Sequence, residues 1–306
     1  VTRATVDRGS VRAVTLVLVV VGLVVGAVVA PQAYDYATAP DGTVAVVEVQ
    51  GSITGDSASS VVDDLREARQ NDSVRAVVLD VDSPGGTASA SEQLYLAVKR
   101  TADEMPVTAA VTGIAASGSY YASIPADDIY VTPASVVGSV GVRATLPTGG
   151  VPAGEVVTGP DKGGGSTTDE VRQRVETLRR AFVGSVFAER GDRIELSREK
   201  VSHGKVYAGA TGVENGLADE VGGLDAAIVA AADDAGMSDY EVVRMDAPQL
   251  SVLGQLGLDA GDAGDTTTEQ TFEYSGVDTV QYLMLHGTIQ TDAAGNDTEV
   301  TANAGA

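Results

Sequence analysis

The stretch VTAAVTGIAASGSYYAS, residues 107–123, decides how the chain is read. VTAAVTG (107–113) reads as a strand, and a short helix follows the turn. Between them stands Ser117, flanked by Ala116 and Gly118 and trailed by two tyrosines. A serine there has two readings. It can be a helix N-cap, its hydroxyl accepting an orphan backbone N–H. It can equally be a nucleophile on a tight strand-to-helix turn, which demands small neighbours because the strained backbone runs close to other chain. Ala115 and Ser119 lie two residues to either side. They depart from Gly-x-Ser-x-Gly but keep its steric logic, and the Gly118 N–H follows the serine where an oxyanion donor is wanted. Taken alone, the stretch leaves both readings open.

Working outward, strands alternate with helices. TVAVVEVQG (43–51) reads as a buried strand, SASSVVDDLREARQ (57–70) as an amphipathic helix and VRAVVLDV (74–81) as a second strand. DSPGG (82–86) then reads as a turn, followed by a helix over 89–103; DIYVTP (128–133) is another strand. This alternation predicts an α/β fold with a parallel sheet. Residues 148–168 are Gly-rich and irregular. Helices are expected over 169–190 and 197–202, then a Gly-punctuated loop and a last helix within 206–236. The tail, 251–306, is acidic and rich in Gly and Thr, with a candidate strand in VQYLMLHGTI (280–289) and a disordered end expected over 291–306.

Residues 13–30, AVTLVLVVVGLVVGAVVA, are 18 uncharged and mostly apolar positions, about the length of a membrane span. Arg3, Arg8 and Arg12 precede the run, which predicts a cytoplasmic segment 1–12, an anchor at 13–30, a linker at 31–42 and an extracytoplasmic domain over 43–250. A cleavable signal peptide is the alternative. The apolar core is longer than the usual 7–15 residues of such a peptide, and Pro31 sits at the would-be cleavage point.

Composition removes several chemistries. The 306 residues contain no cysteine, so thiolate nucleophiles and disulfides are excluded. With only His203 and His286, a three-histidine metal site is impossible, and the reading calls for no metal and no cofactor. The net charge of −23 argues against a nucleic-acid partner, since phosphates would be repelled. An acid-rich, lysine-poor surface suits a halophilic source, where carboxylates stay solvated and screened.

A nucleophilic serine needs a base. His203 follows a predicted helix and reads as a helix C-terminal residue; His286 lies in the candidate strand near the tail. Lys99 and Lys200 read as exposed helix residues, and Lys205 as a structural cation. Lys162 stands in a glycine-rich loop with no helix to explain it. To act as a base it must be neutral, a shift from ~10.4 to ~7 that needs about 4–5 kcal/mol of differential stabilisation. In DSPGG, Gly85 and Gly86 permit positive φ and close approach, so a turn there can aim N–H groups at an oxyanion.

These segments together resemble the Ser/Lys peptidases of the signal peptide peptidase A type. DSPGG (82–86), AASGSYYAS (115–123), VGSVGV (137–142), TGPDK (158–162) and HGKVYAGATGVENGLADEVGGLDAAI (203–228) match in order. The resemblance covers roughly residues 43–250 and a single peptidase unit. It implies a Clp/crotonase-like spiral of β-β-α units, a serine endopeptidase acting on signal peptides or other membrane-associated peptides, and a homo-oligomer at the membrane. On this resemblance Ser117 and Lys162 form the dyad, and Gly86 and Gly118 form the oxyanion hole. Where the family usually has Gly-Gly after the nucleophile, this chain has Gly118-Ser119, leaving Ser119 as a decoy. The rival expectations are a non-catalytic membrane scaffold on the same fold, and a Ser/Lys peptidase that cleaves membrane proteins such as stomatin relatives.

Overall fold

The computed structural model describes residues 40–146, 167–245 and 282–285. The expected anchor at 13–30, the loop carrying Lys162, His286 and the tail end at 291–306 lie outside them. The first half contains β1 (Gly42–Ile53), α1 (Gly55–Gln70), β2 (Val74–Thr87), α2 (Ala88–Ala102), β3 (Val107–Ala116), α3 (Gly118–Ser123), β4 (Asp128–Val131), β5 (Val136–Gly138) and β6 (Arg143–Ala144). The second contains α4 (Thr168–Arg190), α5 (Arg198–Val201), β7 (Val206–Ala208), α6 (Gly209–Glu214), β8 (Glu220–Val221), α7 (Leu224–Asp234), β9 (Tyr240–Met245) and β10 (Tyr282–Leu285).

The fold is mixed α/β. Strands β1, β2, β3 and β4 are parallel neighbours with β9, β5 and β8 added in parallel, as the strand–helix alternation predicts. The sheet is not purely parallel: β7 joins β5, and β10 joins both β2 and β6, in antiparallel sense. Alternating side chains send the strands' two faces to different helices. Val44, Val46, Ala76, Val78 and Ala110 pack on α7 through Ala227, Ala231 and Ala232, whose small side chains allow close approach. Ala45, Val47, Val77 and Leu79 pack toward α1 and α2 through Leu65, Leu94 and Val98. Leu65 is fully buried, so Leu65→Ala should cost about 2–5 kcal/mol. Two helices begin with a reciprocal cap, Thr54 with Ser57 on α1 and Thr167 with Glu170 on α4.

Two local expectations change. DSPGG is not a turn outside the sheet: β2 runs on through it to Thr87. The ladder survives by slipping register between Val81 and Ser83 against β3, and Asp82 Oδ1 accepts the Ile114 N–H at 3.0 Å in place of a ladder carbonyl. The loop expected over the start of 206–236 contains β7, α6 and β8, and YEVVRM (240–245) forms β9. These pieces are too short to show a period, and β9 takes its order from pairing with the β1 edge.

Candidate active site

Ser117 follows the last residue of β3 with φ 57° and ψ −114°, and it is 2% exposed. A non-glycine residue in that region stores about 1–3 kcal/mol of backbone strain. Its surroundings hold it there. The Ser117 N–H donates to Gly138 O at 2.8 Å, and Ser117 O accepts the Tyr121 N–H at 2.9 Å, starting α3. The Ser117 side chain makes no capping hydrogen bond. The N-cap reading therefore loses its one energetic benefit, while the turn carries backbone strain that a cap does not need.

Close packing explains the small residues around it. A Cβ on Gly118 would meet Ser91 Oγ at 2.1 Å. One on Gly85, where φ is +95°, would lie 2.6 Å from Gly118 N and 2.1 Å from Met284 O. One on Gly86 would lie 1.8 Å from Ile53 O. The DSPGG strand thus abuts the residue after Ser117 through Gly85, while Gly86 packs on Ile53 of β1. Ser119 is fully buried, with Oγ 2.5 Å from Ser83 O and 2.9 Å from Ala116 O. Its hydroxyl stitches the Ser117 turn to β2, a structural role for this serine.

Ser117 opens on a cavity of about 250 Å³ that Ser139, Arg143, Arg179, Ser202 and His203 also line. Sequence reasoning did not single out Ser139, Arg143 or Arg179, and it set His203 aside as a helix end. His203 does follow α5, yet the fold turns that end toward the serine. Ser139 has φ 56° and donates its N–H to Lys205 O at 2.8 Å. Arg179 is held by Glu176 through two 2.7 Å bonds, and the arginine holds that carboxylate down to about 2. Lys162 lies outside the described residues, so its distance to Ser117 is not part of this geometry. Lys99 pairs with Glu189 at 2.6 Å, which occupies it structurally.

The wall behind the turn is anchored by charge. Arg190, 1% exposed, grips Asp219 through bonds of 3.0 and 2.9 Å and also reaches Gly216 O. Asp219 in turn accepts the Ile129 N–H at 2.7 Å, tying α4 to β4. Tyr120, three residues into the elbow, is fully buried and donates to Leu217 O at 2.9 Å. Burial pushes its phenol up to about 12; the nearby Arg190 charge opposes this and that of Asp219 adds to it. Tyr121 stacks on Tyr95 at 4.6 Å and tilts against Phe182, fixing α3 between α2 and α4.

The profile of "Peptidase family S49" matches residues 99–149, which include Ser117 and its elbow. "Protease 4" of Salmonella typhi is 33% identical over 239 residues, covering 68% of this chain and 38% of that one. A relative in Methanocaldococcus jannaschii is 34% identical over 200 residues, 60% of this chain and 63% of its own. "Serine protease SPPA, chloroplastic" of Arabidopsis thaliana is 30% identical over 189 residues, 57% of this chain and 28% of that one. The chain thus spans less than two thirds of each of these relatives. Among solved structures, a membrane-bound stomatin-specific protease with a substrate peptide covers 68% of this chain and 94% of its own at 18% identity, with a TM-score of 0.49. ClpP1 of Listeria monocytogenes covers 60% and 94% at 16% identity, with a TM-score of 0.44. The profile match over residues 99–149 and these sequence relatives support a peptidase of family S49, of the signal peptide peptidase A type.

Proposed function

We propose that the chain is a membrane-anchored serine endopeptidase on a Clp/crotonase-like spiral. Ser117 is its nucleophile and Lys162 its base. The observation that carries this reading is the strained, uncapped Ser117 at the end of β3, 2% exposed and followed by the Gly118 N–H. Ser117 Oγ attacks the peptide carbonyl carbon while Lys162 Nζ takes the hydroxyl proton. The N–H groups of Gly86 and Gly118 hold the oxyanion. Collapse of the tetrahedral intermediate expels the amine, which receives the lysine proton, and water then hydrolyses the acyl-enzyme by the same route.

The substrates are signal peptides or other membrane-associated peptides, with the domain extracytoplasmic and the anchor at 13–30. Cleavage of membrane proteins such as stomatin relatives is the alternative substrate class. Gly163, Gly164 and Gly165 offer Lys162 no apolar wall. An exposed lysine stays protonated at neutral pH, so a neighbouring subunit completes the site in a homo-oligomer.

The test uses detergent-solubilised full chain in high salt. A fluorophosphonate should modify Ser117, and Lys162→Ala should abolish labelling. Because His203 lines the serine's cavity, it is the rival base. If His203→Ala stops labelling and Lys162→Ala does not, the dyad assignment is wrong. If the probe leaves Ser117 untouched in the unsubstituted chain, the peptidase reading gives way to the scaffold. Mixing Ser117→Ala with Lys162→Ala subunits should restore activity where sites are shared; no restoration under subunit exchange places the site within one protomer.

A further inference from the structure

The uncharged run near the C-terminal end, VQYLMLHGTI, has no part in the chemistry above, yet its centre lies against the glycines of the proposed oxyanion site. Strand β3 accompanies β2 only as far as the Ser83–Ala115 pair and then leaves it for the Ser117 turn. On the other edge β1 stays with β2 through Gly86. The departure of β3 leaves one stretch of β2 edge, Gly85 to Thr87, without that neighbour, directly beside Ser117. An edge of this kind binds an extended chain through the main chain.

Strand β10 fills that place. Leu283 pairs with Thr87, Met284 with Gly86 and Leu285 with Gly85, all antiparallel. On its far side Tyr282 and Leu283 pair with Ala144 and Arg143 of β6. The segment is therefore held on both edges, as a peptide in a cleft is held. Its carbonyl placement is specific. Met284 O lies 2.1 Å from a Cβ built on Gly85 and 2.9 Å from one built on Gly118. That puts the carbonyl between the strand bearing Gly86 and the residue that follows the nucleophile. The Met284 side chain is 3% exposed and joins the main core, so an apolar recess receives it.

We propose that Tyr282–Leu285 is an internal peptide ligand of the chain's own catalytic cleft. It occupies the groove in the extended antiparallel form a substrate would take and must leave before a substrate can bind. The inference rests on the peptidase reading for the identity of the groove, but the occupancy can be tested without catalysis. A groove occupied about nine-tenths of the time weakens the apparent affinity of a competing peptide roughly tenfold.

The experiment measures binding of a fluorescent VQYLMLHGTI peptide to full chain carrying Ser117→Ala, which removes turnover. Adding Met284→Asp, which puts a charge into the apolar recess, should tighten binding by roughly tenfold. Leu283→Pro, which removes a backbone donor from β10, should act in the same direction. Equal binding with and without these changes, or none in either case, overturns the proposal. Photo-methionine in place of methionine tests the contact without altering the backbone. Cross-links from position 284 to residues 85–91 or 115–123 are expected, and their absence counts against the proposal even if both substituted chains fail to fold. If β10 release exposes the groove to peptide but Ser117 still resists fluorophosphonate, the occupancy stands and the peptidase reading fails.

Discussion

Ser117 and Ser139 are close counterparts. Each comes just after the end of a short-paired parallel strand, since Ala116 and Gly138 are partners in the β3–β5 ladder. Each has a φ near 57°, at 57° and 56°, the two non-glycine positive values among the described residues. Both line one cavity. The difference lies in the residues next along the chain. Ser117 leads into Gly118 and a buried helix whose first residues pack on β2. Ser139 leads into Val140 and Gly141, with its N–H drawn to Lys205 O. Backbone strain thus marks both serines, and Ser117 differs in having Gly118 next along the chain and Gly85 packed against that glycine's N. Strain alone does not single out a nucleophile; the proposed role of Ser117 rests on strain together with a neighbouring backbone donor.

The largest expected effect separates the two serines directly. Ser117→Ala should lower peptide hydrolysis by roughly 10⁴-fold or more with little change in thermal stability, whereas Ser139→Ala should stay within about tenfold of the parent. Steady-state rates on a short apolar reporter peptide decide it, and a total loss in Ser139→Ala would reverse the comparison. Gly85→Ala should come next. Its methyl would press on Gly118 N and Met284 O at a position with φ +95°. It should cost about 2–4 kcal/mol in urea unfolding and roughly 10²-fold in rate.

Tyr120 tests how firmly the Ser117 elbow is held. Its folded pKa is raised, so the folded state keeps a proton that the unfolded chain releases near 10. The stabilisation is complete below about pH 10 and is lost as pH climbs toward 12, a matter of about 2–3 kcal/mol. Tyr120→Phe should flatten that alkaline decline by this amount while losing about 1 kcal/mol at neutral pH with the Leu217 bond. Melting temperatures across pH 8–12 would show it; an unchanged slope would assign the decline to other tyrosines. The smallest effect is Ser139→Gly, which relieves a positive φ and should leave stability level or raise it by about 1 kcal/mol. Ser117→Gly should bring similar relief and abolish activity, so a calorimetric comparison of the pair measures strain separately from chemistry.

Much of this was legible in residues. The alternation of VAVV, VVLDV and VTAAV runs with amphipathic stretches specifies parallel strands with crossover helices, because side-chain period depends on local sequence. Small residues around Ser117 and the paired glycines of DSPGG announce close backbone approach, because only they tolerate it. Ser139 carried a comparable signal in VGSVGV, a serine after glycine at a strand end, but no sequence rule states which serine has positive φ. Only the tertiary structure brought Gly85 against Gly118, turned His203 into the serine's cavity and seated Met284 beside them. Residues 85, 118, 203 and 284 are far apart in sequence, and what joins them is strand pairing and burial, which depend on the whole sheet and not on any one segment.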